Sequence, residues 1–199
     1  MEPILTSPPG SSPVVPAASF KADGNGGLND PETRKRLALL GALCLFLSTI
    51  EYMIPKPLPF MRIGIANLPL MLALDIFSFP TFLFLVGIKV LGQAIITGTL
   101  FSYVFLFSLA GTGLAAVSMY GLRRLLGRRR VSFVGVGTAG AMVSNVSQLA
   151  LAWFFVFRGS VMYVAPPFLG AGLVTGLTLG LFCEVFTRRS QWYAAARVR

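Results

Sequence analysis

Residues 34–54 read RKRLALLGALCLFLSTIEYMI: three cations, then an apolar run from Leu37 to Ile54. About 20 apolar residues cross the hydrocarbon of a bilayer, so a run of this length behind a cationic cluster predicts a membrane-spanning helix. The pattern resembles the front of a signal peptide, but the run is longer than the usual stretch of about 7–15 apolar residues. No small-residue cleavage site follows it, and it is read as a retained span.

Working outward, the composition agrees with that reading. The chain has 199 residues, 55% apolar and 12% charged, with a mean hydropathy of +0.75. A soluble domain is about 25% charged. The expected fold class is therefore all-α, a polytopic membrane protein. Upstream, residues 1–33 are Pro-, Ser- and Gly-rich without an apolar period, and read as a disordered tail. Four acids against one lysine give that tail −3, leaving +13 on the rest of a chain of net charge +10.

Downstream, the long apolar stretch 63–122 is cut by Ser78-Phe79-Pro80 and again at Thr97-Gly98-Thr99, since a proline disfavours helix just before it. Expected spans are 37–54, 63–77, 81–98, 102–122, 133–157 and 166–187, six within a transmembrane domain 34–189, followed by a basic tail 190–199. With both termini cytoplasmic, 13 of the 17 Lys and Arg residues fall inside, three outside (Lys56, Arg62, Arg158), and Lys89 lies within a span. That asymmetry obeys the positive-inside rule. It also assigns the Arg123–Arg130 cluster to topology and lipid headgroups rather than to nucleic acid.

Lys89 is the residue of greatest interest, because a charge at mid-membrane costs at least about 2.5–3.5 kcal/mol and such residues face a cavity or a partner. Either it faces an internal hollow, or it snorkels or pairs with Asp75 or Glu51. Gln93 lies one turn away on the same face; Asn67, Ser144, Asn145 and Gln148 add polar groups at similar depth on two other spans. These are candidate substrate-binding residues, although each could equally be interhelical hydrogen-bond glue. Lys56 and Arg62, in the Pro-rich loop 55–62, and Arg158 are candidate attractors of a small anionic or amphiphilic ligand, with that loop as its cover. Glu184 is read as a structural partner of Arg188, four residues on.

Small residues recur every four positions at Gly172, Gly176 and Gly180, at Gly137 and Ala141, and at Ala38 and Ala42. Such stripes allow close helix packing; the Ala38/Ala42 face could instead dock a partner. The chain has no histidine, no P-loop and no clustered aspartates, and its two cysteines, Cys44 and Cys183, lie in apolar runs. Neither a metal, a cofactor nor an enzymatic centre is expected from these residues.

Ile63-Gly64-Ile65-Ala66-Asn67-Leu68, Thr97-Gly98-Thr99-Leu100-Phe101-Ser102, Ser108-Leu109-Ala110-Gly111, Gly140-Ala141 through Asn145 and Gln148, and Gly172-Leu173-Val174-Thr175-Gly176 resemble the Gx transporter family, also named heptaprenyl diphosphate synthase component I. The resemblance runs over about residues 35–188. It implies similarity to the substrate-capture (S) components of energy-coupling factor importers, with Ala38 and Ala42 facing a membrane coupling protein that works with ATPases. The other name implies an accessory subunit of a soluble prenyl diphosphate synthase in quinone synthesis, with a prenyl-phosphate-like ligand. Two positions depart from the family pattern: Ser144 stands where a histidine is expected, and Lys89 where an arginine is, keeping the charge without the bidentate geometry.

Overall fold

The computed structural model describes residues 30–55, 64–127, 130–157 and 161–196. Residues 1–29 of the tail expected at 1–33, and most of the Pro-rich loop, lie outside these residues. The first helix, α1, runs Pro31–Met53. Asp30 caps it, accepting from the backbone N–H groups of Glu32 and Thr33 and from the Thr33 hydroxyl at 2.8 Å, and Pro31 fits the first turn, where no N–H is needed. Helix therefore begins three residues before the expected boundary at 34.

The stretch 63–77, expected as the second span, is built differently. Ile65–Asn67 form one 3-10 turn and Leu68–Ala73 a six-residue helix, α2. Six helical residues reach about 9 Å, against a hydrocarbon core of about 30 Å. Gly64 enters in the left-handed region (φ 91°), open to glycine at little cost, and Pro69 sits in the first turn of α2. Every residue from Pro69 to Ala73 is buried. Irregular backbone at membrane depth is tolerated only when protein encloses it or a hollow adjoins it, and α2 is such an enclosed plug, touching α1 and the later helices.

Helices α3 (Phe79–Ile96), α4 (Tyr103–Leu126), α5 (Phe133–Ala152) and α6 (Val161–Arg189) follow. Ser102 and Ser132 cap α4 and α5 through their side chains, and Trp153–Phe157 continue α5 as a π turn. A last short helix, α7 (Gln191–Ala196), lies within the stretch 190–199 expected as a basic tail. No strand occurs among the described residues. Helices α1, α3, α4 and α6 are long and apolar enough to cross a membrane. Helix α5 is 20 residues long but carries Ser144, Asn145, Ser147 and Gln148, and it packs along both α4 and α6.

Leu39, Phe46, Phe84, Leu91, Leu114, Val117, Leu173, Leu177 and Leu181 are exposed along these helices, whereas Glu51, Asp75, Lys89, Gln93, Ser144, Asn145 and Gln148 are buried. Apolar outside and polar within is the arrangement a bilayer selects. Between α5 and α6 the backbones nearly touch: a Cβ on Gly176 would meet Ala141 Cβ at 2.9 Å, and one on Gly180 would stand 2.5 Å from Val134 Cα. Gly172 lies against the Asn145 amide and Gly137 against the Gly176 carbonyl. Cys44 and Cys183 are wholly buried, each a free thiol.

The end of the bundle where α4 finishes and α5 starts is tied by charge. Arg123 grips Asp75 with two hydrogen bonds, Nε to Oδ1 at 3.1 Å and Nη2 to Oδ2 at 2.8 Å. Tyr193 of α7 donates its hydroxyl to the same Asp75 oxygen at 3.1 Å. The guanidinium stacks 4.3 Å from the centre of the Phe133 ring and donates to the Val131 carbonyl. Arg36 reaches across from α1 to the Ala196 carbonyl. Arg123 is thus a partly buried structural cation, which corrects its assignment to headgroup contact; Arg124 and Arg130 of the same cluster are exposed. Glu184 bonds Arg188 at 2.9 Å, as the spacing suggests, and also accepts from the Phe133 N–H.

Candidate functional site

Within the bundle lies a hollow bounded by α1, the 3-10 turn, α2, α3, α4, α5 and α6. It encloses about 550 Å³ of space between atoms, mouth included, of which about 30 Å³ admits the centre of a water-sized molecule. By that second measure it holds about two waters. Its polar lining is Glu51, Asn67, Lys89, Thr112, Ser144, Asn145 and Thr175, backed by Met71, Met119 and the glycines of the α5–α6 seam.

Each polar group is placed by a specific local feature. Glu51 ends α1 and is 2% exposed. Its two carboxylate oxygens accept from the Gly64 N–H at 3.1 Å and the Ala66 N–H at 3.2 Å. Those amides open the 3-10 turn and α2, so a carboxylate meets the unsatisfied donors and positive pole of a helix start. The turn in turn aims Asn67, whose Oδ1 accepts from Lys89 Nζ. Lys89 itself is 2% exposed. On the facing side, Asn145 donates to the Phe168 carbonyl at 2.9 Å across the α5–α6 seam, and Gln148 donates from Nε2 to Ser144 Oγ at 3.0 Å.

The structure therefore brings Asn67, Lys89, Ser144 and Asn145 to one hollow. Gln148 joins through Ser144, and Gln93 is buried on α3 one turn beyond Lys89. Asp75, one suggested partner for Lys89, is engaged with Arg123 and Tyr193 at the end tied by charge. Ala38 and Ala42 are exposed on the outer face of α1. Lys56, Arg62 and Arg158 lie outside the described residues. Glu51, Thr112 and Thr175 belong to the lining without having been singled out as ligand-binding candidates. For Glu51 a signal existed, since an acid inside an apolar run is as unusual as Lys89; for Thr112, inside a Gly-rich helical stretch, there was none.

Among the described residues no group of three or more Cys, Asp or Glu side chains comes together as a metal cluster would need. What the hollow offers is a buried cation, a helix-start carboxylate and several amides and hydroxyls: the means to hold a polar solute.

The family model described as heptaprenyl diphosphate synthase component I matches residues 40–186. The chain belongs to this family. Neither a curated protein nor a solved structure matches it. With four helices able to span a bilayer, the chain is a multi-pass membrane protein of the heptaprenyl diphosphate synthase component I family, and the match runs from within α1 to near the end of α6, taking in every residue of the hollow's lining.

Proposed function

We propose that the protein is a membrane-embedded capture component for a small polar solute with an anionic group, of the kind that hands its cargo to a separate energised partner. The observation that carries this reading is Lys89: buried at mid-helix, directed to Asn67 on a discontinuous segment, and facing a hollow lined by polar groups from several helices. A lysine needed only for packing would be replaceable by a methionine at lower desolvation cost. Short, interrupted helices whose ends point at a mid-membrane site are a recurring way to bind solutes in transporters.

In this reading the domain is oriented with both termini in the cytoplasm of the cell membrane and the hollow toward the outer side. The charges of Lys56, Arg62 and Arg158 draw the solute in, and the exposed Ala38/Ala42 face of α1 meets the partner. The test is native mass spectrometry of the wild-type protein and of Lys89→Met, released gently from membranes. A retained small molecule on the wild type, lost from a folded Lys89→Met, supports capture; equal retention by both removes Lys89 from the site and the reading with it.

A second reading has support from the family's name, which points to association with a heptaprenyl diphosphate synthase. A pull-down in mild detergent separates the two: recovery of a soluble prenyl synthase favours an accessory subunit, and recovery of a membrane coupling protein with ATPases favours capture.

A further inference from the structure

The last turns of α6 present two different sides. Gly180 and Cys183 turn inward, the first against Val134 of α5 and the second wholly buried. Phe182 and Phe186 are 51% and 37% exposed, and their rings lie within 12° of parallel with centres 6.1 Å apart. On a membrane-spanning helix an exposed aromatic strip of this kind is a surface for lipid chains.

An apolar strip alone does not choose among lipids; charge does. Arg189 follows Phe186 by three residues and Phe182 by seven, the spacing of one helix face, so a cation stands beyond the aromatic strip where the helix ends. Arg189 is exposed, and among the described residues its side chain makes no ion pair or hydrogen bond. Its neighbour Arg188 is held by Glu184 Oε1, through Nε at 3.1 Å and Nη2 at 2.9 Å, yet its side chain stays 75% exposed. The other Glu184 oxygen accepts from the Phe133 N–H at 3.1 Å. That bond brings the start of α5, with the exposed Arg130 three residues before it, to the same corner of the bundle. Three arginines meet one carboxylate there, so positive charge is in excess. Just beyond, Trp192 of α7 is 40% exposed, an aromatic with a polar N–H of the kind enriched at a membrane–water boundary.

We infer that this corner binds an anionic phospholipid, its acyl chain laid along Phe182 and Phe186 and its phosphate held by Arg189. The order of groups along α6 matches the order in the lipid, apolar rings first and a guanidinium at the headgroup. A guanidinium meets a phosphate through two parallel N–H···O bonds, and the Arg189 fork is open to do so. A phosphatidylcholine headgroup carries its own cation, which the excess of arginine repels; phosphatidylglycerol carries none. The inference does not depend on what the hollow holds. It differs from a diffuse pull of basic residues on the membrane surface in placing the lipid at one corner of one helix.

The test uses the full-length protein released in mild detergent and offered an equimolar mixture of phosphatidylglycerol and phosphatidylcholine with matched chains. Native mass spectrometry reads which lipid is retained first. Wild type is expected to prefer phosphatidylglycerol by about fivefold or more, the scale of one arginine at an anionic surface. Arg189→Gln is expected to bring that preference close to parity. Arg124→Gln removes an equally exposed charge from the end of α4 and is expected to leave the preference unchanged. Phe186→Ala is expected to weaken retention of both lipids while keeping the preference. All four substituted or native side chains are exposed or half-buried, and unfolding curves in the same mixture confirm that the variants are folded. Equal retention of the two lipids by wild type overturns the inference, as does an undiminished preference in Arg189→Gln. An equal fall in Arg189→Gln and Arg124→Gln overturns it too, because the attraction then belongs to the basic surface as a whole.

Discussion

At the scale of single residues, two carboxylates do opposite work. Asp75 joins a bidentate arginine and a tyrosine hydroxyl in a tight knot, its side chain 3% exposed and that of Arg123 9%. Removing one partner of such a pair leaves the other charge buried and uncompensated, so Asp75→Asn is expected to cost about 3 kcal/mol, measured by thermal unfolding in detergent. Glu51 instead holds backbone. Glu51→Gln would turn an NH2 group toward an amide N–H that now has an acceptor, and is expected to cost about 2 kcal/mol, with loosened amide exchange at Gly64 and Ala66. The sequence marks Lys89 because a lone cation in an apolar run stands out. It could not reveal that Glu51 serves the start of a segment 13 residues away, since that bond depends on how the chain returns after the loop.

At the scale of elements, the glycine stripes separate close packing from mere small size. Gly180 has no room for a methyl group, because Val134 Cα would lie 2.5 Å away; Gly180→Ala is expected to destabilise by about 2 kcal/mol as backbone must yield. Gly113, on α4, has nothing within 4 Å, and Gly113→Ala is expected to be neutral or stabilising by up to about 1 kcal/mol. Parallel unfolding curves for the two variants check both expectations. The start of α1 carries a pH dependence of its own. The Thr33 hydroxyl, together with the Glu32 and Thr33 amides, holds the Asp30 carboxyl below its ordinary value of 3.8. With the folded value depressed, the cap is at full strength above about pH 3.8 and is lost as pH falls through the lower folded value. Faster amide exchange at Glu32 and Thr33 in that acid window is the expected signature. Helix placement was largely legible in the apolar runs and their Pro and Ser boundaries. The 63–77 stretch was not, because hydropathy registers burial, and α2 is buried by protein over too short a length to span anything.

At the scale of the whole molecule, α7 is the part whose sequence least suggests a role, being six residues long and half alanine. Tyr193 and Ala196 are each 2% exposed and share an apolar cluster with Cys183. A chain ending at Ser190 is therefore expected to unfold at lower temperature and to let a maleimide reach Cys183 while Cys44 stays protected, as read by intact mass; unchanged labelling would mean that α7 does not cover that end. The arrangement of tertiary partners across about 118 residues, Asp75 to Tyr193, is of a kind that periodicity and composition do not encode. It has a consequence for the proposed capture role. The knot of Arg123, Asp75 and Tyr193 ties α4, the stretch after α2 and α7 together at one end, so under that proposal a solute leaving by that end would have to part it, a task for the separate partner rather than for a lone copy of this chain.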